Sequence, residues 1–466
     1  MTTRAVAAVD LGATSGRVMI GRVGDDRLDL ELVSRFSNGP VHREDGLHWD
    51  FGALYEHVVS GLAEAVRREP GIESIGIDSW AVDYGLLRDG MLLAEPFHYR
   101  DARNDRGVSK VHEIVPFEEL YRRNGLQFLP FNTLYQYRID SRTADADTAL
   151  LIPDLIAFLL TGTAVAERTN ASTTGLLAVD TGEWDTKLAE LLGIPTSILP
   201  PLVDPGTPIG TLRPEVASRI GKELTVVAVG SHDTASAVAA TPLSTKDSAY
   251  ISCGTWGLVG LELRNPLITD AAREANFTHE LGVDGRWRFL HNVTGLWLLS
   301  ETVRAWEAED GAPIDLPSLL DAAASAPGEA PLFDANDPSL SAPGDMPARI
   351  AALLGSEAPH DRPAFARSIV ESIAAAFAGA IETASALSDR RIDSIHLVGG
   401  GSLNRLLCQA TADRARLPVL AGPVEATALG NVLVQARALG AAPAALEDLR
   451  ALVSATHEPV RFDPIT

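Results

Sequence analysis

Ala8-Val-Asp-Leu-Gly-Ala-Thr-Ser-Gly-Arg17 is the stretch on which the fold turns. An apolar run from Arg4 to Asp10, containing Val6 and Val9, enters a short turn of glycine and hydroxyl residues, and a second run from Arg17 to Val23 leaves it. Apolar run, glycine-bearing turn, apolar run reads as a β-hairpin. The same grammar returns in the second half of the chain. There Ser248 to Ser252 leads into Gly254-Thr255-Trp256-Gly257 and out through Leu258 to Leu263. Two hairpins with small, hydroxyl-bearing turns, each opening one half of the chain, point to an internal duplication and so to two similarly built lobes.

Around the hairpins, short apolar runs alternate with longer helical patterns, which is the signature of α/β layering. Strands are expected at Ile72 to Asp78, Thr225 to Gly230 and Ile392 to Val398. Helices are expected at Phe51 to Arg68, Pro153 to Leu160, Asp233 to Ala240, Pro363 to Leu387 and Leu403 to Ala415. Gly311 to Pro363, rich in Pro, Ala, Ser and Asp, reads as a surface excursion. Ala240 to Asp247, with Pro242 among hydroxyl residues, reads as the linker between lobes.

The 466 residues carry 62 acidic against 39 basic side chains, for a net charge of −23. That balance excludes a nucleic-acid partner, since phosphate backbones are bound by clustered Lys and Arg. Cys253 and Cys408, the two cysteines, build neither a disulfide framework nor a four-ligand zinc site, and a reducing cytoplasm is the expected home. Met1 to Val9 has no signal-peptide pattern. The longest apolar stretch, Ala149 to Leu160, is interrupted by Pro153 and Asp154 and falls short of the roughly 20 residues a bilayer span needs, so no membrane partner is expected.

No Gly-x4-Gly-Lys-[Ser/Thr] occurs, and Gly399-Gly400-Gly401 lacks the third glycine of a dinucleotide fingerprint, because Asn404 stands there. What remains for phosphate is the pair of hairpin turns. Ala13, Thr14, Ser15, Gly16 and Arg17 in the first, and Gly254 and Thr255 in the second, offer backbone N–H groups and hydroxyl donors. Asp10 only accepts hydrogen bonds at neutral pH, so its place near phosphate implies a Mg²⁺ held through water. Gly400 and Gly401 sit between an expected strand and helix, where a ligand approaches backbone closely, and Asn404 is a candidate adenine or ribose partner.

Asp233 opens the helix after Ser231 and His232. It reads either as a helix cap or as the base that accepts a proton from a substrate hydroxyl attacking the γ-phosphorus of ATP. A carboxylate of ordinary pKa, about 3.9, suffices there because phosphoryl transfer has a loose transition state and positioning outweighs basicity. His232 reads as a hydrogen-bond partner of substrate or phosphate, or as a packed neighbour. Asp78, Trp80 and Asp83, followed by Asp101 and Arg103, suggest a polyol pocket, with Trp80 as an apolar platform. Asp101 and Arg103 read equally as a structural ion pair. Asn292 and Trp297 are further candidates from the second half.

These residues together resemble the FGGY carbohydrate kinases of the actin/hexokinase-like ATPase superfamily. The carrying stretches are Ala8 to Arg17, Gly76 to Asp83, Gln127 to Tyr135, Ser231 to Ala237, Ser252 to Trp256, Gly295 to Leu299 and Gly422 to Ala426. Within the family the likeness is strongest to members that phosphorylate L-rhamnulose. The resemblance implies two ribonuclease H-like α/β domains with an interdomain cleft: residues 1–242 mainly for sugar, 243–440 mainly for ATP, then a tail, 441–466. It implies transfer of the γ-phosphoryl of ATP to O1 of a ketose, with Asp233 as proton acceptor and Mg²⁺ required. It places ATP on Ala13 to Arg17, Thr255, Ser300 and Gly400 or Gly401, and sugar on Ala81, His232 to Thr234 and Asn292. Ala13 stands where the wider superfamily has Thr, and Ser300 stands where a longer amide is expected. The alternatives are a kinase of the same family for L-fuculose, L-xylulose or D-xylulose, and a non-catalytic actin-fold nucleotide switch. A monomer or small homo-oligomer is expected.

Overall fold

Arg4–Leu11 (β1) is buried along nearly its whole length, as befits a central strand with both faces covered. It forms the expected hairpin with Ser15–Gly24 (β2), pairing Asp10 with Arg17, and Arg27–Ser37 (β3) adds antiparallel to β2. The computed structural model describes residues 3–243 and 245–465. Residues 1, 2, 244 and 466, which fall in the expected opening, linker and tail, lie outside the described residues.

Two compact units emerge by packing. The first comprises residues 1–240, 263–289 and 426–456, and the second 241–262, 290–425 and 457–466. The change of unit at 240/241 falls at the start of the expected linker. The linear division differs in two places, since 263–289 and 426–456 pack with the first unit rather than with the second domain and the tail.

Among the described residues, the first unit holds a six-stranded sheet ordered β5-β6-β4-β1-β2-β3, where β4 is Ile72–Ser79, β5 Pro208–Thr211 and β6 Thr225–Val227. β4 is parallel to β1 and β6, while β2, β3 and β5 are antiparallel additions. The regular strand ends at Val227 rather than Gly230, because Ala228 N already bonds the Thr207 carbonyl outside the ladder. Phe51–Arg68 is a helix as expected: Asp50 caps it through Ala53 N at 3.1 Å, and Leu54, Val58, Leu62 and Ala65 bury one stripe. Two further helices, Asp233–Ala240 and Ala426–Ala438, cross where Gly430 meets the Ser236 carbonyl so closely that no Cβ fits. That approach anchors the helix bearing Asp233.

Among the described residues, a seven-stranded sheet repeats the plan with Ser248–Cys253 (β7), Trp256–Leu263 (β8), Trp287–Thr294 (β9), Ser394–Val398 (β10), Val419–Ala421 (β11) and Val460–Phe462 (β12), ordered β9-β8-β7-β10-β11-β12, with Thr278–Leu281 added at its edge beside β9. Hairpin β7–β8 is antiparallel, β10 is parallel to β7 and β11, and β12 is antiparallel to β11. The duplication inferred from the turns is thus repeated in strand order and direction.

The 311–363 segment is largely exposed, as a surface excursion would be, but it is pinned to the core at several points. Leu340, Met346 and Ile350 are fully buried, and helix Leu316–Ala324 packs on helix Arg362–Ser388. Small and apolar residues spaced between its prolines build short helices with core faces, a signal its Pro and Ser content masked. Arg362–Ser388 is long and apolar enough to cross a membrane by length and composition. Its Phe365, Ile369, Ile373, Phe377 and Ile381 are buried within the unit's own core.

Candidate active site

Three strand ends of the first unit meet at one edge of its sheet. Asp10 pairs with Asp78 across β1 and β4, Trp80 N bonds the Leu11 carbonyl at 3.1 Å, and Ser79 N bonds the Ser231 carbonyl at 2.9 Å. Ser79 also bridges His232 in parallel register. Asp10, Asp78 and Asp233 therefore converge. Burial pushes the Asp78 carboxyl well up, and the charges of Asp10 and Asp233 push it further, against the Asn431 amide that donates to it at 2.6 Å. Asp78 was expected in the sugar pocket. It is fully buried and turned toward Asn431 and the other carboxylates, so it belongs with them instead.

Arg17 places Nε 3.1 Å from Asp10 Oδ2, which partly neutralises the trio and turns that nitrogen toward Asp10. In the turn between, Gly12 N bonds the Ser15 carbonyl, and Asn38 ties the loop through Gly12 and Thr14. Thr14 is exposed, and Ala13 and Ser15 are half-buried. Gly16 is buried against the Phe36 ring, where a Cβ would collide, so packing already accounts for this glycine.

Asp233 begins its helix with its side chain 30% exposed. Its Oδ1 accepts the Thr234 hydroxyl at 3.1 Å and lies 3.4 Å from His232 Nε2. The N–H groups of Ala235 and Ser236 go to the His232 carbonyl rather than to this carboxylate. Among the described residues no helix N–H reaches Asp233, which removes the capping alternative and leaves an accessible acceptor.

Sequence reasoning missed what holds this loop. Glu167, fully buried, accepts Ser231 N at 2.9 Å and Ser231 Oγ at 2.8 Å, while binding Thr169 and Asn170 on its own side. The Glu-Arg-Thr-Asn run that lets it cap the helix Arg168–Ala171 was the available signal. Also missed was Arg288, fully buried between His232 and Glu280.

On the expected sugar side, Trp80 packs against Trp49 with ring centroids 4.1 Å apart and the planes tilted by 34°. Both indoles donate to Asp83 Oδ2, at 2.6 Å from Trp49 and 3.0 Å from Trp80. Burial pushes Asp83 up to about 7 against these bonds. Trp80 and Asp83 are both buried, so they form the backing of a wall rather than its face. The Asp101–Arg103 ion pair does not form. Asp101 accepts Leu47 N at 2.7 Å and Arg103 N at 2.8 Å, whereas the Arg103 guanidinium reaches Gln136 and Asp140 and lies 3.6 Å over the Phe97 ring. Ala81 is half-buried and precedes Val82, whose φ of 70° is strained for a β-branched residue. Thr133, within the Gln127 to Tyr135 stretch, and Gln136, just after it, hold that strain by donating to the Val82 carbonyl at 2.8 and 3.3 Å.

In the second unit, Gly254 has open space where a Cβ would stand, and Thr255 beside it is half-buried. Gly399 adopts φ +84° against the Cys253 carbonyl, Gly400 is open, and Gly401 is packed against the Cys253 thiol. Asn404 is corrected: it is buried as the cap of helix Arg405–Ala415, its Oδ1 accepting Leu407 N at 3.0 Å, and does not present itself to a ligand. Asn292 is half-buried on β9, and Ser300 is exposed on helix Trp297–Asp310. Trp297 is buried with its indole directed at the Leu340 carbonyl, 3.3 Å away.

The donor set at the sheet edge is all oxygen, and Asp78 Oδ1 is buried with no hydrogen-bond partner among the described residues. That fits a hard divalent cation. Among the described residues no three His, Cys, Asp or Glu side chains chelate a metal by themselves, so such an ion completes its shell with water and phosphate.

The model of the FGGY carbohydrate-kinase N-terminal domain matches residues 5–240, and that of the C-terminal domain matches residues 249–439. The chain belongs to the FGGY family of carbohydrate kinases. Curated relatives of this FGGY kinase include the rhamnulokinase of Pectobacterium carotovorum subsp. carotovorum (strain PC1), 40% identical over 95% of this chain and 89% of that protein. The rhamnulokinase of Enterococcus faecalis is 39% identical over 94% and 90%. Among solved structures, a ligand-bound xylulose kinase from Lactobacillus acidophilus matches with TM-score 0.80 at 18% identity, covering 99% of this chain and 94% of that one. A gluconate kinase from the same organism matches with TM-score 0.79 at 18% identity, covering 100% and 94%. The fold is the two-domain α/β fold of actin/hexokinase-like ATPases. This FGGY protein is therefore an enzyme, a carbohydrate kinase, and the nucleotide-switch alternative is set aside.

Proposed function

We propose that this enzyme is a rhamnulokinase, transferring the γ-phosphoryl of ATP to O1 of L-rhamnulose to give L-rhamnulose 1-phosphate and ADP. The observation that carries the reading is 40% identity to a curated rhamnulokinase over 95% of the chain. Asp233, partly exposed at a helix start and free of capping duty, accepts the proton of the sugar hydroxyl as its oxygen attacks phosphorus. Because the transition state is loose, its main task is to stand at the right place. Asp78 has its carboxyl pushed up by burial and by the charges of Asp10 and Asp233, a repulsion that a bound cation would relieve. His232, Thr234, Ala81 and Asn292 hold the sugar, backed by the Trp80–Asp83 wall. Ala13 to Gly16, Gly254, Thr255 and Gly400 meet the nucleotide. Arg17, Gly401 and Ser300 have weaker claims: the first is turned to Asp10, the second is packed on Cys253, and the third carries a short side chain.

Asp10, through water, together with Asp78 would hold Mg²⁺, which screens the phosphate charge when bound. Action on free sugar and ATP in the cytoplasm, as a monomer or small homo-oligomer without nucleic-acid or membrane partner, completes the reading. The test is ADP release with a panel of ketoses and product mapping by phosphorus NMR. L-rhamnulose is expected to lead in kcat/KM. A lead of more than about tenfold, roughly 1.4 kcal/mol, for L-fuculose, L-xylulose or D-xylulose overturns the choice of sugar.

A further inference from the structure

Next to Asp233 lies a buried ion pair for which phosphoryl transfer has no direct use. The Arg288 guanidinium, fully buried, places NH2 3.0 Å from His232 Nδ1 and NH1 3.1 Å from Glu280 Oε2. Its Nε and NH2 also donate to the Leu281 carbonyl at 3.2 and 3.1 Å, which fixes that edge of the fork. On the other side of the imidazole, Nε2 lies 3.4 Å from Asp233 Oδ1. Thr169 Oγ1 accepts His232 N, and Glu167 holds Ser231, which leaves the ring little freedom to turn.

An arginine only donates. Its 3.0 Å approach to Nδ1 is a hydrogen bond only if that nitrogen carries a lone pair. Glu280 Oε2 lies 3.3 Å from the same nitrogen and pulls toward the opposite tautomer. Two facts decide between them. Glu280 is at shorter distance the ion partner of Arg288, and its 3.3 Å approach to Nδ1 lacks hydrogen-bond geometry, whereas the Arg288 approach to Nδ1 has it. Burial pushes the Glu280 carboxyl up, but the Arg288 charge opposes it and the carboxyl lies below the usual range, so the pair stays ionised and neutral as a whole.

We propose that Arg288, balanced by Glu280, is a positioning residue that fixes His232 as the Nε2–H tautomer, so that the ring donates toward Asp233 and the sugar hydroxyl. With Nδ1 occupied and Nε2 protonated, the imidazole has no acceptor left and does not compete for the proton Asp233 is to receive. This inference rests on the reading of Asp233 as the base.

The test uses the full enzyme labelled with ¹⁵N-histidine, at about pH 8, above the ordinary imidazole pKa. A long-range ¹H–¹⁵N correlation spectrum is recorded, and the His232 signals are assigned by their loss in His232→Asn. The expected pattern is a pyridine-like Nδ1 and a pyrrole-like Nε2. The reverse pattern, or two pyrrole-like nitrogens, overturns the proposal whether or not any variant folds. In the double variant Arg288→Met/Glu280→Met, which removes both charges together, the signals should move to a mixture of tautomers. Its kcat should fall about tenfold to hundredfold, with KM for ATP within about twofold of the parent. An unchanged tautomer pattern and a kcat within about twofold in a folded double variant would also overturn it. Absence of sugar-dependent ADP release by the parent enzyme would instead sink the kinase reading, and the tautomer spectrum keeps that failure separate.

Discussion

Glu167→Gln asks whether one carboxylate holds the loop that carries Asp233. Glu167 Oε2 receives Thr169 Oγ1 at 2.5 Å, Ser231 Oγ at 2.8 Å, Ser231 N at 2.9 Å and Asn170 N at 3.3 Å, and Oε1 receives Thr169 N at 2.9 Å. All five partners are donors, which an acceptor-only carboxylate suits. Glutamine offers one oxygen. In its better orientation that oxygen replaces Oε2, and its NH2 then faces the Thr169 N–H, leaving a buried donor unsatisfied at a cost of about 1–3 kcal/mol. The remaining bonds lose their charge assistance, which roughly halves their strength. Part of this is offset, because burial pushes both Glu167 and the neighbouring Asp154 up, and removing one charge relieves the pair. The net expectation is a loss of about 2 kcal/mol of stability. A shift of Ser231 to Asp233 should lower kcat about tenfold to hundredfold, with ATP affinity little changed. Urea unfolding measures the first and steady-state ADP release the second. A kcat within about twofold of the parent, or a loss confined to KM for ATP, would refute the reasoning.

Three further outcomes are expected. Asp83 has its folded pKa raised to about 7, so its contribution to stability is full below the unfolded value and is lost as pH rises toward 7. Asp83→Asn should therefore flatten the pH dependence of unfolding between about pH 4 and 7, on the order of 3–4 kcal/mol, and an unchanged profile counts against the assignment. Gly254→Val meets open space and should fold normally while raising KM for ATP, whereas Gly401→Val collides with Cys253 and should lower stability; calorimetry and kinetics together separate the two. Chelation of divalent cations should abolish turnover and added Mg²⁺ restore it. Asp10→Asn should require at least about tenfold more Mg²⁺ for half-maximal rate, and an unchanged requirement removes Asp10 from that role.

Much of the architecture was legible in local pattern. The two hairpins, the Phe51–Arg68 helix and the Asp233–Ala240 helix stand where apolar periodicity and turn chemistry put them, because each is decided by its own residues. What escaped was decided by partners far along the chain. Asn404 and Asp78 carry the chemistry of ligand contacts, yet tertiary context uses one as a buried cap and seals the other beneath Asn431. Asp101 and Arg103 are near in sequence but turn to Leu47 and to Gln136. Glu167 shows in sequence only as the cap of a short helix, and Arg288 has no motif of its own; their burial against Ser231 and His232 marks their part in the site. The return of residues 426–456 to the first unit is likewise a matter of close packing, with Gly430 against Ser236, that no linear boundary reveals.

The central claim is tested most directly by kcat for L-rhamnulose phosphorylation in Asp233→Ala, with ATP binding measured on the same preparation. If the carboxylate acts on the sugar hydroxyl as proposed, kcat should fall by roughly 10²- to 10⁴-fold while nucleotide affinity holds. Turnover surviving within about tenfold of the parent would contradict it.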